Sequence, residues 1–399
     1  MKITMVVYSH YSRDARVRRY AEALAEKNII VDILCLKENY HPKESNIKLF
    51  YYPLPRRRYG KMWNIFEYII FLIYSTLFLS LIYFFKRYKV IHVHNMPEFL
   101  VFSGVLPKIF GAKIILDMHD PMPELYMSKY HTPENSLMVK WLKWLEGLSL
   151  KFADHILTAN EEFKKIFLSR HKIEADKISV ILNCPDPKIF NPPASPAGRQ
   201  PTTHNPQQFT LLYMGTVEKR FGLDVAVEAM PDLIKKIPHI RFIIIPKLEN
   251  EGEYFKNLKI KIQSAPPAGG WRTKLKNYIQ FLSPLPLEKI ADQLRKTDVG
   301  IVLAQNGVFT ESIFPVKLLE FIQMKIPVIA SKTKSLVKYF DSSSIYYLKN
   351  NTSEDFTKAV IDLWKSVRLR KKLTINSLKY FNLHNWKVER RKYYNILKI

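Results

Sequence analysis

Cysteine is nearly absent from this chain: Cys35 and Cys184 are the only two in 399 residues. They lie far apart, so neither a disulfide framework nor a cysteine-based metal spacing is visible, and a reducing compartment fits best. There is no Asp-x-Asp pair, no Gly-x-x-x-x-Gly-Lys-Ser/Thr phosphate loop and no Gly-x-Gly-x-x-Gly after a strand. Three common ways of holding a metal or a phosphate are therefore missing. Acidic residues are outnumbered, 36 against 62 Lys and Arg, for a net charge of +26. Such an excess points to an anionic partner: nucleic acid, acidic lipid or a phosphorylated substrate. It is spread along the chain, as on a generally basic solvated surface, with local clusters at Arg56-Arg57-Arg58 and Arg390-Arg391-Lys392. No recognition motif and no aromatic stacking platform supports nucleic acid. The first residues do not read as a signal peptide, because a short apolar strand is followed at once by Arg13, Arg16, Arg18 and Arg19.

With 47% hydrophobic and 25% charged residues, the chain is globular, and its length predicts two domains. Residues 3–8, 30–36, 90–94, 113–119, 155–158 and 180–182 read as strands. Residues 15–26 read as a helix, with Val17, Tyr20, Ala21 and Leu24 at helical spacing. Strands separated by helices predict a parallel sheet with right-handed crossovers. Residues 185–208 carry seven prolines among Ser, Thr, Asn and Gln and read as a linker. A second alternating unit follows, with strands at 210–214, 241–245, 278–281, 299–303 and 328–330 and helices at 223–237, 286–296 and 315–324. Residues 386–399 read as a terminal helix. The expected fold class is α/β, with two Rossmann-like domains at 1–184 and 209–385. Ligands of such sheets bind beyond the carboxyl ends of the strands, here in a cleft expected between the domains.

Residues 68–85 run for eighteen positions without a charge, which by length makes a candidate membrane span. A span would put strands of one sheet on opposite faces of a bilayer. A helix lying in the membrane interface is therefore preferred, with a buried core helix as the alternative. The expected membrane contacts are Arg56, Arg57, Arg58, Phe71, Tyr74 and Phe78.

Chemistry concentrates in a few places. Phe314-Pro315-Val316-Lys317-Leu318-Leu319-Glu320 reads as a loop and a helix opened by proline. A helix N-terminus beside Lys317 suits an anion such as a diphosphate, and Glu320, three residues on, offers a carboxylate to sugar hydroxyls. Gly215, Thr216 and Arg220 lie in the loop after the first strand of the second domain. Glycine admits a ligand close to the backbone, and Lys219 or Arg220 can meet a diphosphate; a plain turn with exposed charges is the competing reading. Leu116 to Glu124 ends a buried strand with His119, Asp120 and Glu124. His119 is placed to bond a sugar hydroxyl and Asp120 to orient it or accept a proton, against a structural turn in which Asp120 bonds backbone amides. His94 and Asn95 end another strand, and Asp14 and Arg16 follow the first. Their alternatives are a satisfied loop histidine and a helix N-cap with an exposed arginine.

Taken in order, these motifs resemble the family 4 glycosyltransferases, retaining enzymes of GT-B fold, and most of all bacterial members that build exopolysaccharide or O-antigen. The likeness runs from Asp14-Ala15-Arg16-Val17 through Val90 to Asn95, Leu116 to Glu124, Phe152-Ala153-Asp154 and Asn183. It continues with Gly215-Thr216, Gly222-Leu223-Asp224, Pro315 to Glu320 and Pro327 to Ser331. The resemblance implies a nucleotide-sugar donor held by the second domain, with Gly215, Thr216 and Leu318 lining it, Arg220 and Lys317 on the diphosphate and Glu320 on the ribose. It implies His119 near the transferred sugar, an acceptor on the first domain near Asp14, Arg16, His94, Asn95 and Glu124, and no cofactor or metal. Ser312 stands where the family often has a first glutamate, Phe221 where it usually has lysine, and residues 246–252 where it often has a glycine-rich turn. The expected function is transfer of a sugar, with retention, from a nucleotide donor to a lipid-linked or growing polysaccharide acceptor. The enzyme is expected to be cytoplasmic and peripheral on the inner face of the cell membrane. The alternatives are a nucleotide-sugar epimerase of the same fold and an inactive subunit that anchors a partner transferase.

Overall fold

The computed structural model describes residues 1–57, 60–192, 208–247, 252–263 and 275–399, with the backbone alone at 61 and 62. Arg58, most of the expected linker and part of the segment 246–252 lie outside the described residues. The chain forms two compact units. One comprises Met1–Asn183 with Arg390–Ile399, the other Cys184–Glu389.

The first unit is a seven-stranded parallel sheet in the order β3-β2-β1-β4-β5-β6-β7. Its elements run β1 (Lys2–Val6), α1 (Ala15–Ala25), β2 (Ile30–Leu36), β3 (Ile47–Tyr52), α2 (Lys61–Lys86) and β4 (Val90–His94). A 3-10 helix, Glu98–Gly104, leads into α3 (Val105–Ile109), followed by β5 (Lys113–Met118), α4 (Met122–Tyr130), α5 (Leu137–Phe152), β6 (His155–Thr158), α6 (Glu161–Arg170) and β7 (Ile178–Val180). Asp14 starts α1 by accepting from the Val17 amide, and Val17, Tyr20, Ala21 and Leu24 bury its inner face. Asn28, at φ +57°, turns the chain into β2, in a conformation that asparagine tolerates better than most residues. The strand expected at 180–182 is β7, two residues earlier.

The second unit is a six-stranded parallel sheet in the order β10-β9-β8-β11-β12-β13. It runs β8 (Phe209–Gly215), α7 (Leu223–Lys236), β9 (Ile240–Pro246), α8 (Gly252–Gln263), α9 (Leu275–Tyr278), β10 (Ile279–Phe281), α10 (Leu287–Leu294) and β11 (Val299–Val302). Then come α11 (Val308–Ser312), α12 (Val316–Gln323), β12 (Val328–Ser331), α13 (Lys334–Tyr339), β13 (Tyr346–Leu348), α14 (Ser353–Lys365) and α15 (Val367–Leu383). The terminal helix α16 (Trp386–Leu397) begins with the second unit and ends with the first.

Close packing sets where α12 lies. Phe321 is fully buried, and a Cβ built on Gly300 of β11 would stand 2.5 Å from its ring. Only glycine lets the ring approach the strand this closely. Burying Phe321 there contributes about 1.5–3 kcal/mol and fixes the helix that carries Lys317 and Glu320.

Candidate active-site residues and an exposed apolar helix

In the second unit, β8 ends at Gly215, whose φ of +119° favours glycine. A Cβ there would stand 3.7 Å from the Lys317 ammonium. That ammonium lies 3.8 Å from the centroid of the buried Tyr213 ring and 5.5 Å from that of Phe221. A cation over an aromatic face is stabilised without losing its charge, so Lys317 is held at the carboxyl end of β8. Arg220 pairs with Glu218 at 2.6 Å, and its guanidinium covers the rings of Phe221 and Phe309 at 5.2 and 5.7 Å. The Arg220 carbonyl accepts from the Gln305 amide at 2.8 Å, tying this loop to the one after β11. The Tyr213 hydroxyl donates to the Thr216 carbonyl at 2.5 Å. Gly215, Thr216, Arg220 and Lys317 are thus gathered at one sheet edge, with Glu320 one turn into α12.

Two details differ from expectation, and a third concerns Ser312. Pro315 is the N-cap of α12 rather than its first helical residue. Leu318 is fully buried and its amide bonds the Pro315 carbonyl, so its side chain packs the core. Glu311, beside Ser312, accepts from the Lys334 amide at 2.9 Å, and the Ser312 hydroxyl turns back to the Val308 carbonyl.

In the first unit, the loop after β5 carries His119 and Asp120, Nδ1 to Oδ2 at 3.7 Å, both partly exposed. Burial depresses the His119 pKa, but the neighbouring carboxylate of Asp120, with Asp117 and Asp14 behind, outweighs it and leaves it raised. Asn95 is buried and fixes this loop: its Nδ2 donates to the Asp120 carbonyl at 2.8 Å and its Oδ1 accepts from the His119 amide at 3.2 Å. The Thr158 hydroxyl holds the Met118 carbonyl at 2.9 Å.

Several residues expected on the acceptor side turn inward. Arg16 is buried and donates twice to Asp117 and once to the Ile181 carbonyl. His94 is buried with Nδ1 3.2 Å from Asp117, as their direct pairing across β4 and β5 dictates. Glu124 is buried against Arg170. Asp14 is spent capping α1. Arg16, His94 and Glu124 are paired because a buried polar group needs a partner.

Asp117 and His92 were missed. Their signal was available: His92 and His94 are two apart on one strand, hence on one face, in an otherwise apolar run. His92 is buried, bonded through Nδ1 to the Tyr393 hydroxyl at 2.8 Å, and burial beside His94 keeps its pKa well below the usual imidazole value. His92, His94 and Asp117 bring potential metal-donor atoms within 4.8 Å of one another. Both Asp117 oxygens already bond the fixed charge of Arg16, so this cluster suits a buried ion pair better than a cation.

Helix α2 is long and apolar enough to cross a membrane by length and composition. It instead lies against the sheet. Glu67, Phe71, Ser75, Leu79 and Tyr83 are buried at a spacing of four. Phe71 packs on Tyr8 and Tyr52, Tyr74 on Tyr52, and Phe78 on Phe50. The three aromatic residues expected at a membrane therefore pack toward the sheet. The outward stripe is Phe66, Ile69, Ile73, Leu77, Leu81 and Phe84, all exposed, Leu81 at 70%. The outer face is more apolar than the inner one, the reverse of an ordinary surface helix. Arg57 is exposed, while Arg56 lies over the Tyr8 ring at 5.0 Å.

Two parallel sheets covered by helices, each with polar groups at the carboxyl ends of its strands, define a GT-B α/β protein. Residues 15–188 match the family described as Glycosyltransferase Family 4, and residues 195–380 match Glycosyl transferases group 1. The chain belongs to the family 4 type of glycosyltransferase. No curated protein sequence matches it significantly. Among solved structures it is similar to sucrose-phosphate synthase from Thermosynechococcus elongatus, with a TM-score of 0.76 at 16% identity over 100% of this chain and 98% of that one. Anabaena Alr3699/HepE in complex with UDP-glucose gives 0.72 at 13% identity over 100% and 99%. WaaG, a glycosyltransferase involved in lipopolysaccharide biosynthesis, gives 0.71 at 14% identity over 99% of each chain.

Proposed function

We propose that the protein transfers a sugar, with retention and without a metal, from a nucleotide-sugar donor to a lipid-linked or growing polysaccharide acceptor. The observation that carries this is the Lys317 ammonium, held beside Gly215 at the start of α12 with Arg220 on the neighbouring loop. A diphosphate there meets two cations and a helix N-terminus, which together stabilise it as a leaving group. Glu320 offers its carboxylate to the ribose. The binding of UDP-glucose by the similar Anabaena protein supports a donor of this class. His119, positioned by Asn95 and Asp120, serves the transferred sugar. The enzyme works on the cytoplasmic face of the membrane, with the outer stripe of α2 in the lipid interface.

A panel of nucleotide sugars in a thermal-shift assay tests the donor, because a ligand bound only by the native state raises its apparent stability. At least one is expected to raise Tm, and Lys317→Ala to lose both that shift and turnover while keeping its fold. Normal turnover by Lys317→Ala would sink the site. One observation favours a second reading, an inactive subunit of a partner transferase: Ser312 replaces a carboxylate and Glu311 is committed to Lys334. No response to any donor supports that reading.

A further inference from the structure

We propose that the first unit carries a second membrane-contact element on α5, so that its lipid-facing surface is a platform of two helices rather than the single helix α2. This rests on the reading of α2 as an interfacial helix. In α5, Leu137, Trp141, Trp144 and Leu148 recur at helical spacing and are exposed, Leu137 at 84% and Trp144 at 60%. The opposite face buries Val139, Leu142, Glu146 and Leu150.

Topology places the two stripes on the same side of the sheet. The steps β3 to β4, β4 to β5 and β5 to β6 all progress in one direction along the strand order. Right-handed crossovers then put α2, α3 and α5 on one face. The step from β1 to β2 goes the other way and puts α1 on the opposite face, where α16 joins it through Tyr394 and Arg390. Between α2 and α5 the surface is continued by Val105, Ile109 and Phe110, all exposed. Phe110 packs edge-on against Phe84 of α2, and Phe102 against Phe152 of α5.

The chemistry of this face selects a bilayer carrying anionic lipid. The one carboxylate in each helix points inward: Glu67 accepts from Trp63 and the Arg57 amide, and Glu146 from Arg170 and His171. The outward face of α5 holds large apolar residues with lysines among them, and α2 is flanked by the exposed Arg57, Arg87 and Lys89. Lys140 and Lys151 are exposed, and Lys143 pairs with Glu134 of the preceding loop. Aromatic residues at the rim with basic residues beside them are the composition of an interfacial surface, and the lysines reward anionic headgroups. A contiguous apolar face of this extent is not the scatter of single exposed residues found on any protein.

The test is flotation of the full-length protein with vesicles of phosphatidylethanolamine and phosphatidylglycerol, against pure phosphatidylcholine. Trp63, Trp141 and Trp144 are exposed here, three of the six tryptophans in the chain, so brominated lipid reports contact directly. The wild type is expected to float with the anionic vesicles and to be quenched. Trp141→Ser/Trp144→Ser is expected to bind at least about tenfold more weakly, with unchanged circular dichroism and donor thermal shift. Equal flotation of that variant and wild type, with loss only in Phe66→Ser/Ile73→Ser, overturns the second element and leaves the α2 reading standing. No flotation of the wild type overturns both. A wild type that is dimeric without lipid and made monomeric by Trp141→Ser/Trp144→Ser assigns the face to a second copy and overturns the proposal.

Discussion

Arg16 grips Asp117 with two parallel hydrogen bonds, Nε to Oδ2 at 2.7 Å and Nη2 to Oδ1 at 2.8 Å, across 101 residues of sequence. Burial alone would raise the Asp117 pKa; the Arg16 charge and the bonds from His94 and Arg16 override it and hold it well below the usual carboxylate range. A depressed folded pKa means stability that is present above the unfolded value of about 3.9 and is lost as pH falls through the folded one. Arg16→Ala strands a buried carboxylate and is expected to cost about 3–5 kcal/mol in urea unfolding at neutral pH, most of it recovered in Arg16→Met/Asp117→Leu. A loss in Arg16→Ala of less than about 1 kcal/mol would place the pair among weak surface bridges.

His119 has the opposite sign. Its raised pKa contributes stability that is fully present below about 6.5 and disappears as pH rises through the folded value. Titration of the His119 ring by NMR is expected to give a pKa above the ordinary histidine value of about 6.5, falling in Asp120→Asn. An unchanged value in Asp120→Asn removes Asp120 as its partner.

Asn95→Ala releases both bonds that hold the His119 loop. Turnover is expected to fall about 10- to 100-fold, as for a misplaced reacting group, with the donor thermal shift unchanged. Loss of the donor shift as well would mean that Asn95 acts through folding rather than through the loop.

Gly300→Ala drives a methyl into the Phe321 ring, 2.5 Å from where its Cβ would stand. Overpacking of this kind costs about 1–3 kcal/mol. It also pushes α12 off the sheet, so donor affinity is expected to fall with stability. Pairing it with Phe321→Leu is expected to restore part of both, and no recovery would refute the steric account.

Glu98 is buried, and neither of its carboxyl oxygens bonds another of the described residues. Burial, with the charge of Glu146, pushes its pKa up to about 8. The folded protein thus holds a proton that the unfolded chain releases near 4.5, and this contribution is lost as pH rises through about 8. Glu98→Gln is expected to leave Tm nearly unchanged at acid pH and to raise it in alkali. A shift that does not depend on pH would show that Glu98 is not the titrating group.

The central strands were legible because a parallel strand buried on both faces reads as an apolar run, as Ile30–Leu36 and Val90–His94 do. β3 was not, because Ile47–Tyr52 lies at the sheet edge with mixed burial. β13 has three residues, too few for a pattern. The loop after β8 and α12 were visible as local motifs. The burial of Arg16, Glu124 and His94 was not legible for one reason: their partners lie 101, 46 and 23 residues away. A polar residue looks available in a sequence until the group that neutralises it is brought beside it. The orientation of α2 failed similarly, since a helix apolar on all sides does not declare which side meets the sheet.

The return of Arg390–Ile399 to the first unit has a consequence for biosynthesis. Tyr393 is fully buried there, 4.4 Å from the Tyr20 ring centroid and bonded to His92. Those residues leave the ribosome only after the whole second unit has been made. Domains generally fold in the order of their synthesis, but here the amino-terminal unit is expected to lack the packing against Tyr20 and His92 until the segment beyond Glu389 emerges. A nascent chain arrested before Arg390 is expected to show protease-sensitive β1 and β4, which become protected once the last turns of α16 are released.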